Sequence, residues 1–121
     1  MLKRANRLRK RYQFNYVYKA GSHVSGKAVT VYATPSKTKN VKVGFAVTKK
    51  IGHAIKRNLF RRRLREIVRK QLPMLKQNYN IIVVAKEQIV QFDYKFIECE
   101  IINLLEKANL YKNEENFKSD N

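Results

Sequence analysis

Residues 54–71 have the most regular pattern of apolar and polar positions in the sequence. At about 100° per residue, Phe60, Leu64, Ile67 and Val68 fall on one side of a helix. This i, i+4, i+7, i+8 spacing is typical of a helix that packs one face against a core. We therefore predict an amphipathic helix over this segment.

Two further segments have the pattern of helices. Near the N-terminus, Phe14, Val17 and Tyr18 share one face of a short helix, and Gly21 is suited to end that helix in the left-handed conformation. Toward the C-terminus, Asp93 is a suitable N-cap for a third helix. The core side of that third helix should consist of Tyr94, Ile97, Ile101, Leu104, Leu105 and Ala108.

Three segments have the pattern of β-strands. Apolar and polar residues alternate over residues 28–33 and again over residues 41–47. The continuous apolar run over residues 81–85 indicates a strand that is covered on both faces. A polar, hairpin-like connection over residues 35–40 predicts that the first two strands are antiparallel neighbours.

The order helix, strand, strand, helix, strand, helix predicts a small mixed sheet with helices packed on it. A length of 121 residues indicates one domain. We place this domain at residues 1–110, including a basic arm over residues 1–11. The part of the arm before Leu8 is either solvated or in loose contact with RNA. Residues 111–121 are polar and mixed in charge, and we expect them to form a flexible tail.

The charge of the chain narrows the possible partners. Lys and Arg number 27 against 9 Asp and Glu, which gives a net charge of +18 and a pI near 10.3. A hydrophobic content of 44% is high enough for a folded core, so the excess positive charge should lie on the surface of a folded domain. The expected partner of such a surface is nucleic acid. The sequence lacks an apolar run long enough for a signal sequence or a spanning helix. We therefore expect a cytoplasmic protein without a membrane partner.

The sequence offers little chemistry of its own. Cys99 is the sole cysteine, and we expect it to be an ordinary half-buried helix residue. His23 and His53 are far apart and lack partners at the spacing of metal ligands. Paired carboxylates, a nucleophile motif and a glycine-rich phosphate loop are likewise missing from the pattern. We therefore predict neither catalytic nor metal-binding residues in this chain.

One flank of the 54–71 helix is a row of arginines. Arg57, Arg61, Arg65 and Arg69 follow one another at i, i+4 spacing, where each like-charge pair costs an isolated helix about 0.2–0.5 kcal/mol. Glu66 can pair with neighbouring cations, but it points away from this flank. The unopposed row favours binding of phosphates over the alternative, a solvated charged face.

Three motifs then identify a family resemblance. They are Phe14-x-x-Val17-Tyr18-x-x-Gly21, the run from Val43 to Lys50, and the run from Gly52 through Arg57-Asn58 and Arg61-Arg62 to Glu66. Each motif is short, but their order and spacing together are specific. With them, the chain resembles the protein subunit of bacterial ribonuclease P from about Leu8 to Leu105.

The resemblance implies an α/β (α+β) two-layer sandwich, similar to a ribosomal-protein domain. It implies three helices and a mixed sheet of about four strands, with a left-handed β-α-β crossover through the arginine helix. The fourth strand is not readable from the sequence pattern. The resemblance also implies that the RNA subunit, with Mg²⁺, removes the 5′ leader of precursor tRNA. The protein would bind that RNA and the leader, with no cofactor of its own and no obligate protein partner.

The resemblance assigns roles to two groups of residues. The residues expected to bind the RNA subunit are Arg57, Asn58, Arg61, Arg62 and Arg65. The residues expected to bind the leader are Phe14, Tyr18, Lys49, Lys50, Tyr32 and Lys86. Periodicity alone would bury Phe14 and Tyr18 in the core, and Lys49 and Lys50 are alternatively plain surface lysines. Tyr32 should project to the sheet face opposite the neighbouring valines. We expect the aromatic pair and the arginine row to form separate surfaces.

One residue departs from the family pattern. The family usually has Arg or Lys after Arg57-Asn58, whereas this chain has Leu59. Helical winding puts Leu59 on the polar side, where it is either exposed or, after a small roll of the helix, packed under the Lys49-Lys50 loop.

Two rival functions are compatible with the charge. A structural protein that binds ribosomal RNA would share the size and fold, but it would need no aromatic cleft beside an arginine helix. An architectural DNA-binding protein is disfavoured because the pattern offers no helix-turn-helix partner and no dimer seam.

Overall fold

The computed structural model describes residues 4–112, which form three helices and one four-stranded sheet. The helices and strands, in chain order, are α1 (Arg11–Ala20), β1 (Ser22–Ser25), β2 (Val29–Pro35), β3 (Lys42–Ala46), α2 (Ala54–Gln71), β4 (Tyr79–Ala85) and α3 (Tyr94–Lys107). Short 3₁₀ turns lie at Arg4–Asn6, Lys49–Ile51, Leu72–Met74 and Glu87–Gln91. The bounds of α2 are those that its apolar periodicity predicts.

The strand order in the sheet is β1-β2-β4-β3. β4 is antiparallel to β2 and parallel to β3, so β2 and β3 run in opposite directions but are not neighbours. The predicted β2–β3 hairpin is therefore wrong. Ile81, Ile82 and Val83 of β4 are all fully buried, so this strand is covered on both faces. Its two edges pair with β2 and β3.

The larger core lies between the sheet and the helices α2 and α3, on the side that we call the α2/α3 face. The predicted stripe of Phe60, Leu64, Ile67 and Val68 is buried there against alternate residues of β2, β3 and β4. Asp93 caps α3 as predicted, because its Oδ1 accepts a hydrogen bond from the Phe96 amide at 2.9 Å. Together, α2 and α3 cover one face of the sheet along most of its width.

The opposite side of the sheet, which we call the α1 face, has a smaller apolar cluster. Leu8, Val17 and Ile82 form its buried centre. Gly21 ends α1 in an extended conformation, with φ at −84°, so the predicted left-handed cap is wrong. Glycine is required there for space, because a Cβ at this position would lie 2.6 Å from the carbonyl oxygen of Val17.

β1 is the fourth strand that the pattern did not reveal. It pairs antiparallel with β2 from Ser22↔Ala33 to Ser25↔Thr30, and three of its four residues are exposed. Because so little of this strand is buried, its sequence has no apolar alternation. β3, α2 and β4 form the parallel β-α-β unit that the resemblance implies; its left hand stays a prediction.

Both ends of the described chain are attached to the domain. In the basic arm, Leu8 is buried and its amide donates to the Val43 carbonyl at 3.0 Å, so the arm is docked on β3 at this residue. At the other end, the Tyr111 hydroxyl donates to Gln71 at 2.8 Å, which extends the packed region slightly into the predicted tail. Residues 113–121 of that tail lie outside the described part of the chain. Cys99 is exposed on α3, so its predicted half-burial is wrong.

Candidate nucleic-acid interface

α1 crosses the sheet and fixes two aromatic side chains on the α1 face. Phe14 lies over Gly44 of β3, where a Cβ at residue 44 would approach the Phe14 ring to within 2.4 Å. Phe14 is half-buried and packs against the cluster of Leu8, Val17 and Ile82. Phe14 therefore has features of both expected roles. One part of its ring packs in the core cluster, and another part is accessible for leader binding.

Tyr18 lies one helical turn farther along α1, over β2. Its ring meets Tyr32 edge-on, with the centroids 4.9 Å apart, and His23 of β1 lies 5.2 Å beyond Tyr32. Tyr18 remains 39% exposed, which excludes full core burial. Burial, followed by the proximity of Tyr32, raises the pKa of Tyr18, so its hydroxyl stays protonated and can donate a hydrogen bond. Tyr32 projects to the face opposite its neighbouring valines, as predicted.

Beyond α1, the α1 face continues as an open surface toward the ends of β3 and β4. Ala46 and Val84 are register partners there, and both are only partly buried. Farther on lies a cavity of about 660 Å³ lined by the predicted residues Lys49, Lys50 and Lys86, among others. We use the name α1-face groove for this surface from Phe14 and Tyr18 to the three lysines.

The three lysines differ in how firmly they are held. Lys49 and Lys50 are exposed in the turn that precedes α2. Lys86 is half-buried, and its ammonium donates to the carbonyl oxygen of Gly26. A lysine ammonium has three hydrogens, so this bond leaves two donors on Lys86 for a ligand in the groove.

Arginines surround the other side of Phe14. A cavity of about 280 Å³ is lined by Arg7 and Arg9 of the arm, by Phe14, and by Arg61 and Arg65 of α2. The arm and the arginine helix thus present cations to the same space. The expected separation of the aromatic pair from the arginine row is therefore wrong at this end, because Phe14 borders both.

The arginines that α2 contributes to this interface are not neutralised by carboxylates of the described residues. Within the described residues, Arg57, Arg61 and Arg65 have no salt bridge to an acidic group. Burial, and then the charges of Arg61 and Arg7, lower the pKa of Arg65. Such crowding of like charges disfavours the free protein and is relieved when an anion binds. Phosphate oxygens are the natural ligands of guanidinium groups in this arrangement.

The remaining predicted residues of α2 lie along the same helix. Arg57 is half-buried beside Lys49 and His53, in a cavity of about 530 Å³. Asn58 accepts a hydrogen bond from Arg61 at 2.9 Å through its side-chain oxygen, which keeps its amide hydrogens as donors. Arg62 is exposed.

Leu59 and Glu66, also on α2, lie outside the arginine row. Leu59 is half-buried and belongs to neither hydrophobic cluster, so it is neither fully exposed nor a core residue. Glu66 accepts a hydrogen bond from the Tyr94 hydroxyl at 2.9 Å, while Lys70 pairs with Glu98 at 3.8 Å. Glu66 is therefore bonded to α3, and within residues 4–112 it forms no salt bridge with the cations that its spacing suggested.

Three residues of the interface escaped sequence reasoning. Arg7 and Arg9 were given only as members of the basic arm, and His23 was considered only for a catalytic or metal-binding role. For Arg7 and Arg9, the sequence does contain a signal: Leu8 is a single apolar residue within a basic run, and such a residue indicates where the arm docks on the domain. His23 lies on a strand with no apolar alternation, and the sequence carries no comparable signal for it.

The chemistry of this interface is that of binding. It offers cations, hydrogen-bond donors and aromatic faces, which suit phosphates and unpaired bases. Within residues 4–112, His, Cys, Asp and Glu form no group of three that could hold a metal ion. In the same part of the chain, no helix is both long and apolar enough to cross a membrane.

Comparisons with known proteins agree with this reading. The family model for ribonuclease P matches residues 2–109. The ribonuclease P protein component of Alkaliphilus oremlandii is 38% identical over 109 residues, which are 90% of this chain and 96% of that protein. Its counterpart from Clostridium botulinum strain Loch Maree is 34% identical over 107 residues, or 88% and 96% of the two chains.

Solved structures resemble the whole fold. The ribonuclease P protein of Staphylococcus aureus has a TM-score of 0.83 and 26% identity, covering 90% of this chain and 100% of that one. The protein from Thermotoga maritima has a TM-score of 0.75 at 26% identity, with coverages of 84% and 96%. The chain therefore belongs to the family of ribonuclease P protein components, the protein subunits that join an RNA subunit in a tRNA-processing endoribonuclease.

Proposed function

We propose that this subunit binds the 5′ leader of precursor tRNA in the α1-face groove and contacts the RNA subunit through α2. The groove is the observation that carries this proposal. It combines accessible aromatic rings at one end with the ammonium groups of Lys49, Lys50 and Lys86 at the other. A single strand can stack bases on the rings while its phosphates reach the lysines.

The shape of the groove favours an unpaired strand. Ala46 is only partly buried and contributes little side-chain bulk to the floor, so a flat base can approach the sheet there, next to Phe14. A rigid duplex presents its phosphates outward and its bases inward, so it could not use the aromatic faces. The groove therefore suits the leader better than paired RNA.

The arginine helix provides the second contact in this proposal. Arg57, Arg61, Arg62 and Arg65 supply guanidinium groups, and Asn58 supplies amide donors. Arg61 and Arg65 reach the cavity beside Phe14, so the RNA subunit and the leader would meet near that ring. Binding at these residues should depend strongly on salt, because each neutralised phosphate releases counterions.

Catalysis in this proposal belongs to the RNA subunit. Following the family resemblance, we assign Mg²⁺ and the chemical step to the RNA in the holoenzyme, and a binding role to the protein. We further propose that the holoenzyme acts in the cytoplasm without an obligate protein partner. Membership of the ribonuclease P family does not favour the alternative role in binding ribosomal RNA.

Leader length provides the test of the groove. Phe14→Ala should weaken binding of precursor tRNA by the reconstituted holoenzyme by about 1–3 kcal/mol if a base stacks on the ring. The loss should grow from a one-nucleotide leader to a leader of about six nucleotides and then level off, because a groove of limited length can contact only a few nucleotides. Affinity for mature tRNA should remain unchanged.

Tyr16→Ala is the matched control, since Tyr16 is 58% exposed and, two residues from both Phe14 and Tyr18, lies on the opposite side of α1. It should leave the affinity for every leader close to that of the unmodified protein. Thermal melting of both variants separates binding from folding, because Phe14 also packs in a cluster. An equal loss for all leaders and for mature tRNA would reassign Phe14 to the core and refute the leader site.

A further inference from the structure

We propose that Glu100 of α3 is a positioning residue for the leader site, although α3 lies on the other face of the sheet. Glu100 orders the turn between β1 and β2, and that turn holds Lys86 at the α1-face groove. The inference rests on the proposed function, because it assumes that Lys86 contacts the leader. It assigns to Glu100 a role that the sequence pattern of α3 gives no reason to expect.

The carboxylate of Glu100 is bound by the backbone of the turn. Its Oε1 accepts the Lys27 amide at 2.8 Å, and its Oε2 accepts the amides of Ala28 at 2.6 Å and Val29 at 3.0 Å. The carboxylate uses both of its oxygens to accept these three hydrogen bonds, and its negative charge strengthens them. A Cβ at Gly26 would lie within 2.5 Å of the same carboxylate, so the turn closes around it tightly.

The carbonyl groups of the same turn are directed to Lys86. The Lys86 amide donates to the Ala28 carbonyl at 2.9 Å, and the Lys86 ammonium donates to the Gly26 carbonyl. The amide of Gly26 donates to the Val29 carbonyl at 2.8 Å and closes the turn. The turn thus joins a carboxylate on one side of the sheet to a lysine on the other.

This connection fixes the ammonium before RNA arrives. A free lysine loses rotamer freedom when it binds a phosphate, whereas a lysine already held by a carbonyl has lost most of it on folding. Two hydrogens of the Lys86 ammonium remain for phosphate oxygens. Glu100 therefore raises the affinity of the groove for a leader phosphate without touching the RNA.

A double-mutant cycle in the reconstituted holoenzyme tests the connection. Glu100→Gln preserves size but turns an NH₂ group toward one of the backbone donors, which loosens the turn. Lys86→Met removes the ammonium and keeps an apolar stem. We expect Lys86→Met to weaken binding of a precursor with a leader of about six nucleotides by about two- to ten-fold. Glu100→Gln should have a smaller effect on the same precursor, and neither should affect mature tRNA.

The double variant should bind no more weakly than Lys86→Met alone, because Glu100 acts only through Lys86. Glu106→Gln, an exposed residue of the same helix, is the matched control and should leave all affinities unchanged. Independent, multiplicative losses in the double variant would overturn the inference. So would an equal effect of Glu100→Gln on mature tRNA, since that would indicate a general loss of structure.

The same set of variants distinguishes this inference from the proposed function. If Phe14→Ala gives a leader-dependent loss but Lys86→Met does not, the leader site stands and the role of Glu100 is refuted. If neither variant has a leader-dependent effect, the leader site itself is refuted. Thermal melting of every variant shows whether the fold is retained.

Discussion

Removal of one arginine from the crowded cavity should affect folding and RNA binding in opposite directions. Arg65 is the best position, because it lies one helical turn from Arg61 and from Arg69 and also feels the charge of Arg7. Arg65→Gln removes the charge and retains part of the aliphatic stem that packs in the cavity wall. The free protein should gain stability, while the holoenzyme should lose affinity between its subunits.

The expected gain in folding free energy follows from the helical spacing. Each like-charge i, i+4 pair costs about 0.2–0.5 kcal/mol, and Arg65 takes part in two such pairs along α2. Relief of both gives about 0.5–1 kcal/mol at low ionic strength, which corresponds to roughly 2–6 °C in Tm for a domain of this size. The gain should shrink as salt is added, because screening removes the same repulsion.

The expected loss in binding follows from counterion release. If Arg65 neutralises one phosphate of the RNA subunit, the slope of log K against log salt should fall by about 0.7–0.9. Filter binding or fluorescence titration of the two subunits over a series of salt concentrations measures this slope. Differential scanning calorimetry of the free protein measures the change in Tm on the same preparations.

Lys95→Gln is the matched control, because it also removes one positive charge but from an exposed position on α3. It should leave both the Tm and the slope nearly unchanged. A lower Tm for Arg65→Gln together with an unchanged slope would refute the reasoning, since Arg65 would then be a packing residue with no phosphate contact.

Three further outcomes are expected. Gly44→Ala should push the Phe14 ring out of place, lowering stability by about 1–3 kcal/mol and weakening leader binding, as measured by chemical denaturation and precursor titration. Leu59→Arg should change stability by less than about 1 kcal/mol and tighten binding to the RNA subunit, since Leu59 lies outside both clusters; a loss of several kcal/mol would contradict this. Burial, followed by the hydrogen bond to Glu66, raises the pKa of Tyr94 to about 12, so its contribution to stability is complete below pH 10 and is lost as the pH rises through about 12. Tyr94→Phe should abolish that part of the alkaline decline in denaturation curves, and an unchanged decline would contradict it.

The parts of the fold that local patterns determine were predictable. α2 follows from its apolar stripe, and the Asp93 cap follows from the chemistry of helix N-termini. Strand order was not predictable in the same way, because alternation over β2 and β3 is the same whether the strands are neighbours or not. The place of β4 between them depends on contacts between distant segments, which a single sequence does not encode in any local spacing.

The same distinction applies to the site. The arginine row is a property of one helix, so spacing at i, i+4 was enough to find it. The α1-face groove exists only after α1, the 49–51 turn and the end of β4 come together, and Phe14 and Lys86 share no pattern that links them beforehand. Motif resemblance could supply their roles, but not the contact between Phe14 and the arginine cavity. That contact follows from the docking of Leu8 on β3, which turns the basic arm toward α2. A substitution that releases Leu8 should therefore disturb phosphate binding without removing a single charge.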